Sequence, residues 1–222
     1  MRIFPLGENA LTVEFGDEIS HELNDAAISL SNGLEANPFP GFVECVPAYA
    51  STTVFYDLLK VRWSFPEFPT AFDAVKQIVE KLLPGSTRET AGRGRKIEIP
   101  VSFSTQNALD LESASQMLKL TDDEIIEIFL ARTYRVYMLG FLPGFPYMGE
   151  VDERIAMPRR DSPRMNVPKG SVGIAGRQTG IYPLESPGGW QIIGRTEIEM
   201  FDPSRSAPCF LSPGDEVKFV QA

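Results

Sequence analysis

From Tyr134 to its end the chain never sustains a helical period. Short apolar runs (YRVYML, SVGIAG, WQIIGRT, EIEMFD, EVKFVQA) alternate instead with turns that carry Gly or Pro. Runs of that length, bounded by residues that interrupt both helix and strand, bury themselves best by pairing edge to edge. This half of the chain is therefore confined to a β-barrel or a β-sandwich. Ahead of it, KIEIPVSF reads as a strand, followed by two helices, LDLESASQMLKL and TDDEIIEIFLARTY. In the second helix Thr121 and Glu124 stand at capping-box spacing.

The first half has a different texture. RIFPLG and ALTVEF read as two short strands, and Ser20 is the predicted N-cap of the helix SHELNDAAISLSNGLEA. FVECVPA and STTVFYD read as a strand pair. Beyond the proline-interrupted FPEFPT, the stretch AFDAVKQIVEKLL places Phe72, Val75, Ile78, Val79 and Leu82 at helical spacing until Pro84 and Gly85 end it. Strand, strand, helix, strand, strand, helix outlines a small α/β sandwich. PGSTRETAGRGR is polar, glycine-containing and aperiodic, as an interdomain linker would be. The expected organisation is a first domain over residues 1–84, a linker over 85–95 and a second domain over 96–222.

A chain of 222 residues is long enough to bury a sizeable core. No window approaches the roughly 20 apolar residues of a membrane span, and MRIFPLGENALTVEF lacks the apolar core of a signal peptide. Cys45 and Cys209 are far apart and without metal-type spacing, so no metal site is expected and a reduced cytoplasm is the default. A net charge of −9 argues against a nucleic-acid partner, because phosphate backbones reward basic surfaces.

One stretch runs against that charge. Between Arg154 and Arg195 lie Arg159, Arg160, Arg164, Lys169 and Arg177. They form either a local anion site or a scatter of solvated cations. In PRRDSPR two prolines hold the chain extended, so Arg160 and Arg164 share one face while Arg159 points away. Such a pair suits bidentate binding of a carboxylate or phosphate, or two surface salt bridges. GIAGRQTG looks like a phosphate-cradling loop but lacks the GK[ST] ending and any following helix. Its glycines fit tight turns or close approach of another backbone, with Gln178, Thr179 and Tyr182 at that surface. Trp190, after the Gly188-Gly189 turn, is a core anchor or a ligand platform. In GFLPGFPYMG the prolines Pro143 and Pro146 set a bent path that Gly140, Gly144 and Gly149 turn, leaving Phe141, Phe145 and Tyr147 to line a groove or a partner interface. Nucleophile and base signals are thin. His21, the only histidine, falls in the first turn of a predicted surface helix, and neither cysteine has a histidine nearby in sequence. Asp202 stands out at the end of EMFD before a proline turn, whereas Asp215 in SPGDEV reads as an ordinary turn residue.

GFLPGFPYMG, PRRDSPRMNVPKGSVGIAGRQTGIYPLESPGGWQIIGRT and MFDP together resemble the family of the 5-oxoprolinase B subunit. That family also covers the sporulation kinase inhibitor KipI and proteins labelled allophanate hydrolase subunit 1, and is related to the carboxyltransferase part of urea carboxylase. The resemblance runs from about Ile97 to the end; VECVPAYASTTVFYD extends it more loosely into the first half. It implies an α+β fold, with an N-terminal ferredoxin-like α/β sandwich followed by a cyclophilin-like β-barrel domain. It further implies a non-autonomous cytoplasmic subunit of a complex that opens 5-oxoproline to glutamate. The partners would be the KipA-like C subunit and the lactam-hydrolysing A subunit, with ATP used at the level of the complex. On this resemblance Arg159, Arg164 and Asp202 are candidate catalytic residues. Gln178, Tyr182 and Arg195 are candidate substrate-binding residues on the same ground, and the reading of GFLPGFPYMG and SPGGW adds Phe141, Phe145, Tyr147 and Trp190 to them. The same resemblance admits a KipI-like regulator that binds and inhibits a sensor histidine kinase, or a component of another amide hydrolase such as allophanate hydrolase. Two departures stand out. The family's Gly-Gly-x-x-Gly-Pro-Asp-Leu is here STQNALDL, Ser104 to Leu111, keeping only Asp110 and Leu111. A family histidine near the end of the second helix is here Phe129, which cannot transfer a proton: either a catalytic group is lost or that position only packs.

Overall fold

Periodicity places most of the elements correctly. The structure, a computed structural model, describes residues 1–83 and 94–222; Pro84 and residues 85–93 of the expected linker lie outside the described residues. The chain divides into two units, Met1–Arg93 and Gly94–Ala222.

The first unit contains β1 (Arg2–Pro5), β2 (Ala10–Glu14), α1 (His21–Ala36), β3 (Phe42–Ala48), β4 (Ser51–Tyr56), α2 (Leu58–Ser64) and α3 (Ala71–Leu82). Its antiparallel sheet has the order β1-β2-β4-β3. This is the ferredoxin-like arrangement with the last strand moved to the amino terminus. Alternation along β2 and β4 turns Leu11, Val13, Val54 and Tyr56 inward, against Leu30 and Leu34 of α1 and Val75 and Val79 of α3. Ser20 caps α1 by accepting the Leu23 N–H at 3.1 Å. Helix α2 is not foreshadowed in the sequence. It is short, capped by Asp57, and Val61 is its one buried residue, so no apolar stripe announces it.

The second unit contains β5 (Lys96–Val101), α4 (Leu111–Leu118), α5 (Asp122–Ala131), β6 (Thr133–Leu139), β7 (Pro146–Gly149), β8 (Arg164–Val167), β9 (Ser171–Ala175), β10 (Gln178–Ile181), β11 (Ser186–Gly188), β12 (Gln191–Arg195) and β13 (Glu216–Gln221). Seven strands form a sheet in the order β12-β9-β10-β7-β6-β13-β5, and β8 pairs with β11 as a separate ribbon. The two outer strands of the large sheet meet. Ser102 donates its N–H to the Arg195 carbonyl at 2.8 Å, and Arg195 returns the bond at 3.0 Å, which curls the sheet into the cyclophilin-like barrel. The interior is filled by Ile99, Val101, Val136, Met148, Ile174 and Val217, covered by Leu111 and Ala114 of α4 and Ile125 and Phe129 of α5.

Four details depart from the sequence reading. α5 stops at Ala131, before Tyr134, because strand alternation sinks the Tyr134 ring into the core, where its hydroxyl donates to the Phe129 carbonyl at 2.8 Å. PYMG is a strand despite its proline and glycine: Pro146 opens β7, where a missing N–H costs little. EIEMFD forms no strand beyond a bridge between Phe201 and Cys209. Asp215 is more than a turn residue, since it is buried and bound by the Arg95 guanidinium and by the N–H groups of Arg95 and Ser212. The capping box at Thr121 and Glu124 is present. No helix among the described residues is long and apolar enough to cross a membrane.

Candidate functional site

The connection from β6 to β7 sets up the site. Gly140 donates its N–H to the Phe145 carbonyl at 3.1 Å, and Phe145 to the Leu142 carbonyl at 3.0 Å. The tight path puts Phe141 at φ +65° and Gly144 at φ +79°. A left-handed backbone is uncommon for a bulky residue, and Phe141 holds it while 62% exposed. Phe145 is turned the other way, into a cluster of rings. Its centroid lies 4.9 Å from Tyr147, 5.3 Å from Tyr182, 5.4 Å from Trp190 and 5.7 Å from Phe141. The glycine-rich segment exists for this packing. A Cβ at Gly180 would stand 2.7 Å from Phe145 Cζ and 2.8 Å from the Pro146 carbonyl, while Gly176, at φ +59°, turns β9 into β10. GIAGRQTG is thus a hairpin pressed against an aromatic floor.

Above that floor opens a cleft of about 320 Å³. Phe141, Phe145, Tyr147, Tyr182 and Trp190 line it together with Pro163, Pro187, Gly188, Gly189, Arg159 and Arg160. Its electrostatics follow from counting partners along the basic stretch. Arg154 pairs with Asp152, Arg160 and Arg164 with Asp110, Lys169 with Glu199, Arg177 with Glu153, and Arg195 more loosely with Glu197 at 3.8 Å. Arg159 alone of that stretch makes no ion pair or hydrogen bond with the described residues. Its charge is nevertheless felt in the cleft. Burial pushes the Tyr182 phenol above its ordinary value, while the Trp190 N–H and the positive charge of Arg159 act in the opposite direction.

Six of the ten candidate residues therefore converge: Arg159, Phe141, Phe145, Tyr147, Tyr182 and Trp190 line one cleft. The other four do not line it. Arg164 spends both terminal nitrogens on Asp110, at 2.5 and 2.7 Å. Gln178 opens β10 opposite Gly149 and Ala175. Arg195 helps close the barrel through its backbone. Asp202 accepts from the Ser204 hydroxyl and N–H and pairs with Arg205, and these contacts, the Ser204 hydroxyl foremost, hold its carboxyl below the usual range. Arg160 and Arg164 do share a face, turned to Asp110, and Arg159 points elsewhere. Two residues went unassigned in the sequence: Arg160, which lines the cleft, and Asp110, which holds it. For Asp110 a signal existed, since it is one of two positions that STQNALDL retains from the family motif. Phe129 is fully buried in the barrel core, its ring 4.9 Å from Phe219 and 5.1 Å from Tyr134, and does not line the cleft. Among the described residues no cluster of His, Cys, Asp and Glu is arranged to hold a metal ion.

A ferredoxin-like sandwich followed by a cyclophilin-like barrel with an arginine-and-aromatic cleft defines a class of two-domain protein. Comparison with known proteins makes it particular. The chain belongs to the family described as carboxyltransferase domain, subdomain C and D, which matches residues 1–211. Within it the chain stands with the B subunits of 5-oxoprolinase. It is 43% identical to the 5-oxoprolinase B subunit of Bacillus subtilis (strain 168), over 99% of this chain and 92% of that one. It is 36% identical to the protein of the same name from Escherichia coli O157:H7, over 99% of this chain and 95% of that one. Among solved structures, TTHA0988 superposes with a TM-score of 0.82 at 36% identity, over 96% of this chain. The chain spans 40% of the length of TTHA0988.

Proposed function

We propose that the chain is the non-autonomous B subunit of an ATP-dependent 5-oxoprolinase. It would act in the cytoplasm with the KipA-like C subunit and the A subunit to convert 5-oxoproline to glutamate. The observation that carries this reading is Arg159, an unpaired guanidinium at a cleft otherwise walled by aromatic rings and prolines. 5-Oxoproline is a small ring bearing one carboxylate. Its ring would pack against Tyr147 and Trp190, and its carboxylate would meet the fork of Arg159. Relatives that carry the name of the 5-oxoprolinase B subunit support the assignment.

The lining also explains why the protein would act only with partners. It contains arginines and tyrosines but no carboxylate, histidine, cysteine or serine, so no group there can serve as a nucleophile paired with a base. The cleft binds and orients; its rings exclude water from one side of the ligand. The described residues do not fit a magnesium nucleotide either. The segment GIAGRQTG is a hairpin, and among the described residues no carboxylate cluster is placed to hold the ion. ATP is accordingly assigned to the partner proteins. The test is reconstitution: the three purified proteins together should release glutamate from 5-oxoproline with ATP, and omission of this chain should abolish release. A stable, complete complex without turnover would overturn the proposal.

A second reading, a KipI-like inhibitor of a sensor histidine kinase, is favoured by one feature. Phe141 stands exposed on a strained backbone at the cleft rim, as a docking residue would. Inhibition of kinase autophosphorylation by the chain, lost in Phe141→Ala, would support it. Absence of inhibition by the intact chain would remove it.

A further inference from the structure

We propose that Asp110 is a positioning residue of the cleft: it fixes the guanidinium of Arg160 as a second, pre-set anchor for an anionic ligand beside Arg159. This rests on the reading of the cleft as a carboxylate site.

Asp110 occupies the N-cap position of α4, yet its side chain makes no capping bond. It is 1% exposed and turned into the barrel wall, where it accepts four hydrogen bonds. These come from Arg160 Nη1 at 2.5 Å, Arg164 Nη1 at 2.5 Å, Arg164 Nη2 at 2.7 Å and the Ile192 N–H at 2.7 Å. A buried carboxylate needs one cation and a full set of donors. The fork from Arg164 and the Ile192 N–H already go far towards meeting that need. Arg160 adds a second positive charge, leaving the cluster with two guanidiniums against one carboxylate.

That second cation is the one that lines the cleft. Beyond its bond to Asp110, the Arg160 guanidinium makes no hydrogen bond among the described residues, and its Nε is buried without a partner. Its Nη2, neither buried nor hydrogen-bonded among the described residues, is the donor that a ligand oxygen in the cleft can reach. The backbone adds precision. Arg160 donates its N–H to the Gly189 carbonyl at 2.8 Å, and Gln191 Nε2 donates to the Pro158 carbonyl at 3.1 Å. These bonds lay the arginine segment along the chain that carries Trp190. Asp110 ties both together, gripping Arg160 from one side and exchanging bonds with the backbone of Ile192 on the other. Arg159 is thus the exposed, adaptable anchor and Arg160 the fixed one, whose rotamer is locked by a buried partner.

The test is ligand binding by the full-length chain, followed through Trp190 fluorescence in a Trp63→Phe background. The probes are 5-oxoproline and 2-pyrrolidinone, the same lactam without the carboxylate. The parent should prefer 5-oxoproline. Asp110→Asn and Arg160→Gln should each weaken 5-oxoproline binding by about 10- to 100-fold, the range of a charge-assisted hydrogen bond, and leave 2-pyrrolidinone unaffected. The double variant should be no worse than either single one, because both act through the same guanidinium. A merely structural Asp110 would lower the melting temperature yet keep the preference for the carboxylate, and that result would overturn the assignment. So would additive losses in the double variant, equal binding of the two probes by the parent, or a full preference retained by Arg160→Gln, which does not depend on Asp110→Asn folding. Preference and non-additivity in a chain whose complete complex fails to turn over 5-oxoproline would refute the enzymatic reading and leave this one standing.

Discussion

Replacing Phe145 by alanine should destabilise the barrel unit by about 3 kcal/mol. The ring is 1% exposed and meets four other rings with centroids 4.9–5.7 Å away. Phe→Ala in a core costs roughly 3–5 kcal/mol, the sum of lost transfer energy and the cavity left behind. Here the void would open into the cleft rather than remain sealed, so water can enter and the lower end of the range applies. The contact with Phe141 contributes little to the total because that ring is mostly solvated. The assay is urea unfolding of the full-length Trp63→Phe chain, read from Trp190, which packs directly on Phe145. With a urea slope of about 2 kcal/mol/M, the midpoint should fall by about 1.5 M. Phe145→Leu, which keeps most of the volume, should cost less than half as much. A fall of under about 0.3 M in the alanine variant would mean that the ring cluster is not what holds the cleft floor.

Further outcomes follow from two buried groups outside the cleft, Cys45 and Phe129. Burial pushes the Cys45 thiol from 9.0 up to about 11, opposed by its bond to Ser31 and reinforced by Glu35, so Cys45 should react with iodoacetamide at pH 8 far more slowly than Cys209. Its folded value is raised, so the stability it contributes is complete below pH 9 and is lost as pH rises towards 11; urea melts at pH 8 and pH 10.5 should show a smaller alkaline loss in Cys45→Ala than in the parent. Phe129→His should destabilise the barrel by about 2–3 kcal/mol, because it puts a polar ring into an all-carbon stack. The penalty should grow as pH falls through the ordinary histidine value of about 6.5, since burial disfavours the charged imidazole. Turnover by the complex should not rise in that variant, and a gain would identify Phe129 as the position of a lost catalytic group.

The elements that could be read in the sequence are those whose burial repeats along the chain. β4, α1 and α3 carry a period of two or near 3.6, while β6, β9, β12 and β13 show as short apolar runs between Gly and Pro turns, and the fold places them accordingly. α2 and β7 were hidden for opposite reasons: one buries a single residue, the other wears the composition of a loop. The aromatic half of the cleft was legible because GFLPGFPYMG spends rings where a loop would spend polar groups. The charged half was legible only in part. Alternation shows that Arg160 and Arg164 share a face, but not what that face meets. Asp110 lies 50 residues from Arg160 and 82 from Ile192, so the cluster exists only once the barrel has closed. A contact assembled across that separation leaves no periodic trace. Arg164 and Asp202 attracted attention for their residue types, and the structure engages both with neighbours outside the cleft.

In the proposed complex Arg159 receives the carboxylate of 5-oxoproline. Steady-state glutamate release from 5-oxoproline by the assembled complex, comparing the parent with Arg159→Ala, tests it most directly. Loss of one charge-assisted contact of about 1.5–3 kcal/mol should lower kcat/KM roughly 10- to 100-fold, with co-purification of all three proteins unchanged. An Arg159→Ala complex that assembles normally and turns over at the parent's kcat/KM would remove Arg159 from the substrate site.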